Sequence, residues 1–269
     1  MSEDDPKLAA VVAGVAGSKR YAVVAEETVR RAAAKALVSS GGDVTDAVKR
    51  AKRALHEIYG AYLPGSAPNY PGVLRKISAA AESGDEDAAI DAAVRVHAST
   101  RERLPHLGEF YREVLARVPE PATVRDLACG LNPLTIRSMG LPANVRYLAS
   151  DIDTRQMAFI DGVLSLLGVD HEATVHDLVA TPVTGRADVT FLLKTIPCLE
   201  RQRAGLGWEL LDTIDSPHIV ATFPTKSLGN RNKGMFQTHS AAMAAHTAGK
   251  PWAVDSFEIP NELVYVIAK

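Results

Sequence analysis

The chain has 269 residues, of which 46% are apolar, and a net charge of −2; that is enough for one large domain or two modest ones with a sizeable core. No apolar run approaches the ~18–20 residues of a membrane span, and the acidic start MSEDDPKLAA lacks the basic-then-apolar order of a signal peptide. The two cysteines, Cys129 and Cys198, are too few for a disulfide framework, so reduced thiols in a cytoplasm, with no membrane partner, are expected.

Residues 1–118 read as helices only. Ala-rich periodic segments fall near 5–15, 24–39, 44–61, 70–82, 85–98 and 105–118, broken by Gly41-Gly42, Pro64-Gly65 with Pro68 and Pro71, Gly84 and Pro105. Asp43 and Thr45 are good caps for the third segment. There Val48, Ala51, Leu55 and Ile58 form an apolar stripe, and Lys49, Arg50, Lys52 and Arg53 sit mostly off it. Between Lys19 and Lys76, eleven Lys/Arg stand against five acids, a net of +6 on an otherwise acidic chain. Such a segment is either a solvated helix surface or the electrostatic footprint of a polyanion site.

Pro119 and Pro121 mark a change of grammar. Short β-rich runs follow: TVRDLA (123–128), VRYLAS (145–150), EATVHD (172–177), ADVTFLL (187–193) and HIVATFP (218–224), with helical patterns between them. Strand–helix alternation implies a parallel sheet covered on both faces. The last runs, WAVDSFEI and ELVYVIA, are split by Pro260-Asn261 and read as an antiparallel closing pair. The expected organisation is a helical N-terminal domain over 1–82, a helical connection over 83–118 and an α/β, Rossmann-like domain over 119–269. Five parallel strands plus a terminal hairpin is the layout of class I S-adenosylmethionine-dependent methyltransferases.

DLACGLNPL (126–134) leaves the first strand where open α/β sheets bind ligands. Gly130 lets the backbone turn sharply and approach a ligand without a Cβ in the way. Asp151 ends the second strand, 21 residues further on, where a carboxylate accepts from a ribose diol. Asp177 ends the third, placed to accept from an adenine amine, with Ile152 and Leu178 beside the ring faces. Asp153 reads instead as the cap of the next helix. Neither G-x-G-x-x-G nor a P-loop lysine is present, so a cofactor with ribose and adenine but no phosphates fits better. S-adenosylmethionine is that cofactor, and Arg103 is the candidate cation for its carboxylate.

Taken together, DLACGLNPL, YLASDID, VHDL, LLKTIPCLE, FPTKSLGNRNKGM and HASTRERL resemble the aminoglycoside-resistance 16S rRNA (guanine-N7) methyltransferases of antibiotic-producing bacteria. The resemblance covers nearly the whole chain and includes Ala128 and Asn132 at positions that are glycine in the commoner loop. It implies that Ala128 and Gly130 belong to the cofactor site. It also implies a decoding-site guanine in helix 44 of 16S rRNA as target, within the assembled 30S subunit, with a monomer docking through its helical N-terminus. Arg50, Arg53, Arg75 and Lys76 are then expected rRNA contacts, since phosphate contacts supply affinity and register. Arg231 and Lys233, in the loop after the fifth strand, are expected at the target site, with Lys226 less firmly placed. Glu262 is expected to pair with a basic residue and support that loop.

Guanine N7 carries a lone pair and no proton, so methyl transfer needs alignment and not a general base. A target base in a helix is expected to be flipped out. Lys194, at the end of the fourth strand, is the candidate for positioning the target. Cys129 reads as a small apolar side chain, and the histidines show no metal-ligand spacing with the cysteines. Tyr59, Tyr62 and Tyr70 read as core or hinge packing. Three rival readings are an adenine-N1 methyltransferase of the same rRNA helix, a small-molecule methyltransferase of antibiotic biosynthesis, and a non-catalytic RNA-binding module. The trio Gly130, Asp151 and Asp177 argues against the last, and the basic N-terminal segment against the second.

Overall fold

A computed structural model of the chain describes residues 5–63, 68–225 and 234–269. Three helices come first: α1 (Pro6–Ala16), α2 (Glu26–Ser39) and α3 (Val44–Ile58). They close around Leu8, Val11, Val15, Val29, Ala33 and Leu55, the apolar stripes that their 3.6-residue periodicity aligns. The Asp43 side chain accepts from the Asp46 N–H and starts α3.

Next come α4 (Tyr70–Ala81), α5 (Glu86–Val94), α6 (Ala98–Arg103) and α7 (Leu107–Leu115). The expected domain boundary after residue 82 falls earlier in the packing. Tyr70 and Ile77 of α4 share a core with Phe110, Tyr147 and Ile160, whereas the bundle core ends near Tyr59 and Leu63. The reason is a close helix crossing: a Cβ on Gly162 would lie 2.6 Å from Leu74 Cδ2, so that glycine lets α4 seat on the sheet layer.

The remaining elements are β1 (Thr123–Leu127), β2 (Arg146–Asp151), α8 (Thr154–Leu166), β3 (Asp170–Val175), β4 (Val189–Leu193), α9 (Thr195–Gln202), α10 (Leu206–Thr213), β5 (His218–Pro224), α11 (Met235–Thr247), β6 (Ala253–Ile259) and β7 (Glu262–Ala268). They form one sheet in the order β3-β2-β1-β4-β5-β7-β6. Strands β1 to β5 are parallel, and β7 runs antiparallel between β5 and β6. That is the expected class I methyltransferase layout.

The helical patterns expected between the first five strands are met only in part. A 3-10 segment, Asn132–Ser138, follows β1, and residues 176–188 connect β3 to β4 without a helix. Pro182, Gly185 and two threonines in that stretch disfavour one. One sheet face packs under α4, α7 and α8; the other packs under α9, α10 and α11. No helix among the described residues is long and apolar enough to cross a membrane.

Backbone hydrogen bonds join the bundle to the loop after β2. Ala25 N donates to Ile152 O (2.8 Å) and Thr154 N donates to Val23 O (2.9 Å), while Ile152 packs into the bundle core. Both contacts lie on the loop after β2, at the C-terminal edge where the strand order reverses.

Candidate active site

The reversal of strand order between β1 and β4 opens a cleft at their carboxyl ends. Its empty space is ≈ 930 Å³, including the part open to solvent, the size of a cofactor cleft. It is lined from four directions: Ala128 and Gly130 after β1, Asp151 and Ile152 after β2, Asp177 and Leu178 after β3, and Lys194 after β4. Arg103 closes one end. The expected cofactor and target-handling residues therefore share one space.

The loop after β1 is held by its side chains. Ala128 and Gly130 have φ of +52° and +53°, a left-handed conformation that costs alanine roughly 1–2 kcal/mol and glycine little. Gly130 N donates to Asp151 Oδ2 (2.9 Å), and Gln156 Nε2 donates to Gly130 O (3.0 Å). Asn132 takes over the work of a second glycine by a different route. Its amide donates to Asp126 Oδ2 (2.9 Å), and its Oδ1 accepts from Arg103 Nη1 (3.2 Å) and Tyr111 Oη (2.9 Å). A loop with few glycines is rigid because this amide binds it to the strand and to α6 and α7.

Asp151 also accepts from Ile152 N (2.7 Å). Burial pushes its carboxyl up to about 6, with Asp153 adding in the same direction against the backbone donors. Asp153 caps α8 as expected, accepting from Arg155 N and Gln156 N; Tyr59 Oη donates to its other oxygen.

Asp177 is engaged from an unexpected side. Its Oδ2 accepts from Thr28 Oγ1 (2.6 Å) and Arg31 Nη2 (2.7 Å), both on α2, and its Oδ1 accepts from Val179 N (2.8 Å). Burial raises its pKa, but the Arg31 and Thr28 bonds outweigh burial and hold it below the ordinary value. The carboxylate stays ionised, with acceptor capacity left on Oδ1.

Arg103 is more occupied than expected. It is buried, forks onto Glu262 through Nε and Nη2, and lies 4.9 Å over the Phe110 ring. Three of its five N–H groups serve Glu262 and Asn132, which leaves two for a ligand carboxylate. Glu262 was expected to support the loop after β5. It pairs with a basic residue, Arg103, and its Oε2 lies 3.6 Å from Lys194 Nζ; residues 226–233 of that loop lie outside the described residues. Burial favours the neutral form of Glu262, yet Arg103 and Lys194 hold its pKa below the usual range.

Lys194 sits at φ +61° and donates from Nζ to Glu102 Oε2 (2.9 Å). A left-handed lysine at a strand end is a strained conformation of the kind found at functional sites. Glu102 on one side and Glu262 on the other hold its Nζ at the cleft wall.

Several lining residues were not found from sequence, Thr28, Arg31, His97 and Gln156, nor was Glu102, the partner of Lys194. His97 belongs to HASTRERL and stacks on Tyr62 (5.8 Å, 8° between planes). Burial, with Lys194 and Arg103, pulls its pKa down to about 4, so the ring is neutral. Tyr59 and Tyr62 line the cleft, whereas Tyr70 packs on Phe159 as core. Cys129 is buried, and burial pushes its thiol well above its ordinary value. Among the described residues, no cluster of His, Cys, Asp or Glu could hold a metal.

Of the expected rRNA contacts, Arg50 and Arg53 project from α3. Their side chains are 53% and 84% exposed, and they are paired with Asp46 and Glu57 one turn away. Arg75 and Lys76 are exposed on α4, so the basic segment spans two packing units. Lys226, Arg231 and Lys233 lie outside the described residues.

Comparison with known proteins bears on the same site. The family described as ribosomal RNA methyltransferase (FmrO) matches residues 17–266. A 16S rRNA (guanine(1405)-N(7))-methyltransferase of Frankia casuarinae is 61% identical over 259 residues, covering 95% of this chain and 91% of the relative. The enzyme of the same description from Micromonospora rosea is 53% identical over 100% of this chain and 99% of its own. Among solved structures, the 16S rRNA methyltransferase RmtF in complex with S-adenosyl-L-homocysteine superposes with a TM-score of 0.85 at 34% identity, over 98% of this chain and 99% of that one.

Proposed function

We propose, from the premise that this chain belongs to the FmrO family of ribosomal RNA methyltransferases, that it methylates N7 of a guanine in the decoding-site helix 44 of 16S rRNA. The guanine is the one numbered 1405 in the names of its relatives. The substrate is the assembled 30S subunit, the methyl donor is S-adenosylmethionine, and the consequence is aminoglycoside resistance. An enzyme of ribosomes works where ribosomes are, in the cytoplasm, and a monomer suffices to reach the subunit surface.

The observation that carries the reading is the convergence of Gly130, Asp151, Asp177, Arg103 and Lys194 on one cleft beside a basic helical bundle. The residues fit the cofactor. Asp151 meets a ribose diol, and the Cβ-free edge of Gly130 admits the methionyl chain. The two spare N–H groups of Arg103 meet a carboxylate, and the remaining lone pair of Asp177 meets an adenine amine. When bound, the cofactor supplies an electrophilic methyl group.

The chain supplies alignment, since N7 has a lone pair and no proton to lose. Lys194, fixed by Glu102 and Glu262, orients the flipped guanine or its phosphate. It need not act as a base, because N7 has no proton to give up. The adenine-N1 reading shares this chemistry but not the names of the relatives at high identity.

The test uses purified 30S subunits, the protein and S-adenosylmethionine, followed by borohydride reduction, aniline cleavage and primer extension. A single new break in helix 44 is the expected result. A primer-extension stop without cleavage would move the reaction to adenine N1. Neither signal would return the small-molecule reading.

Two further outcomes are expected. Only the ionised form of Asp151 accepts both hydroxyls, and its carboxyl sits at about 6. Affinity for S-adenosylhomocysteine should therefore weaken about tenfold between pH 7 and pH 5, while an Asp151→Asn variant binds weakly and with a flat profile. Folding responds with the opposite sign. A carboxyl raised in the folded state contributes stability that is full below the unfolded value of 3.8 and is lost as pH rises through about 6. Calorimetric titration across pH 5–8 reads the first effect, and urea melts read the second.

Reversing charge in Arg50→Glu/Arg53→Glu should weaken 30S binding by on the order of tenfold and flatten its salt dependence. Affinity for S-adenosylhomocysteine should be unchanged, because neither side chain lines the cleft. Equal loss of both would mean that the bundle had unfolded.

A further inference from the structure

Asp177 is the only one of the expected cofactor carboxylates whose side chain is bonded to the docking bundle. Thr28 Oγ1 and Arg31 Nη2 both donate to its Oδ2, at 2.6 and 2.7 Å. Arg31 also reaches the opposite wall: its Nη1 donates to Gln202 Oε1 on α9 (3.0 Å). One turn along α2, Lys35 Nζ donates to the Gln202 carbonyl (3.3 Å). Thr28, Arg31, Asp177 and Gln202 all line the cleft. Helix α2 thus lies across the adenine end like a lintel, resting on the loop after β3 and on α9. The start of the same helix is pinned by Ala25 N to Ile152 O, beside the ribose carboxylate.

We infer that Thr28 and Arg31 are positioning residues for the cofactor, and that through them cofactor binding and 30S docking are coupled. The inference rests on the reading of the protein as a 30S-directed methyltransferase. The physical ground is as follows. A carboxylate that is to accept from an adenine amine must be ionised and held in one rotamer. Two donors on Oδ2 do both, leaving for the ligand the lone pair of Oδ1 that the Val179 N–H does not use. Those donors belong to the body that carries Arg50 and Arg53, not to the sheet. Whatever fixes α2 against the cleft therefore lowers the cost of ordering the adenine end, and cofactor filling the cleft fixes α2 in return. Such coupling is reciprocal: the factor by which subunit binding tightens the cofactor equals the factor by which cofactor tightens the subunit.

Two binding constants and one cycle test this. Affinity for S-adenosylhomocysteine is measured by calorimetry on the full chain. Affinity for intact 30S subunits is measured with and without saturating S-adenosylhomocysteine. The wild type should bind subunits at least about fivefold tighter with the ligand present, the low end of usual coupling. Arg31→Met should weaken S-adenosylhomocysteine about tenfold, leave ligand-free subunit binding within about twofold, and bring the coupling ratio towards one. Thr28→Val, nearly isosteric and remote from Gln202, should move the same quantities by a smaller factor, and it keeps the test open if Arg31→Met folds poorly. In an Asp177→Asn background Arg31→Met should add less than twofold, because its effect passes through that carboxylate.

Unchanged ligand affinity in both variants would overturn the positioning role. A wild-type coupling ratio of one would overturn the coupling. Full additivity with Asp177→Asn would mean that Arg31 acts by another route. Failure of the wild type to bind S-adenosylhomocysteine would instead remove the functional reading beneath the inference.

Discussion

Glu262→Ala is expected to cost about 3–5 kcal/mol of folding stability and to abolish methyl transfer. Glu262 is buried to 1% exposure, with Arg103 forked onto it and the Lys194 ammonium 3.6 Å away. Removal leaves Arg103 with Asn132 as its one hydrogen-bonding partner among the described residues, and leaves Lys194 with Glu102 alone. Breaking a buried pair is costly because the remaining charge is neither solvated nor neutralised. The urea midpoint should fall at constant slope, the mark of a stability change within a two-state transition.

The same argument predicts partial recovery from a second substitution. Arg103→Met/Glu262→Met removes both charges and replaces them with adaptable apolar volume. It should regain most of the lost stability and none of the cofactor affinity, because the two N–H groups that face the cleft are gone. A Glu262→Ala midpoint within about 1 kcal/mol of wild type would show that water reaches the pair and that the ion cluster does not hold the site. Recovery of activity in the double variant would remove Arg103 from the cofactor's partners.

The second large effect is at Gly130. Gly130→Ala should weaken S-adenosylhomocysteine binding by on the order of a hundredfold, about 2.7 kcal/mol. Two costs act together. The backbone there has φ of +53°, which an alanine resists by roughly 1–2 kcal/mol. The new Cβ would also lie 2.7 Å from His97 Cε1, and His97 cannot withdraw freely because Tyr62 is stacked on it.

A cycle separates the two costs. In a His97→Ala background the clash is gone and only the backbone cost remains, so Gly130→Ala should then cost roughly tenfold. Equal penalties in both backgrounds would mean that His97 does not crowd the loop. Because Ala128 already holds a similar φ in the same loop, the fold tolerates the conformation; the loss should appear in binding more than in melting temperature.

How much of this was legible in the chain differs from residue to residue. Gly130, Asp151 and Asp177 could be singled out because each lies at or just after the end of a strand, and strands show themselves through local composition and period. Asp153 was readable as a cap for the same reason, since a cap and its helix are neighbours in sequence. Asn132 was visible as a departure from a glycine-rich loop, but its task was not. The amide bonds Asp126, Arg103 and Tyr111 at once, and two of those partners come from helices far upstream. The same limit hid α4, whose pattern says helix but not on which core it packs. A helical pattern was expected between each pair of the first five strands; between β3 and β4 a bare loop, residues 176–188, spans the distance.

By itself, then, the sequence determined the class of fold, the carboxylates and the glycine that line the cleft and, through its motifs, the family. Those properties are local: periodicity, capping and turn chemistry act over a few residues and can be read in order along the chain. The tertiary structure alone decided that Arg103 serves Glu262, that Glu102 and Glu262 flank Lys194, and that Thr28 and Arg31 hold Asp177. These contacts join residues 68 to 159 positions apart. At that separation no local preference selects a partner; only burial does, because a charge taken out of water must find another beside it or give up its proton.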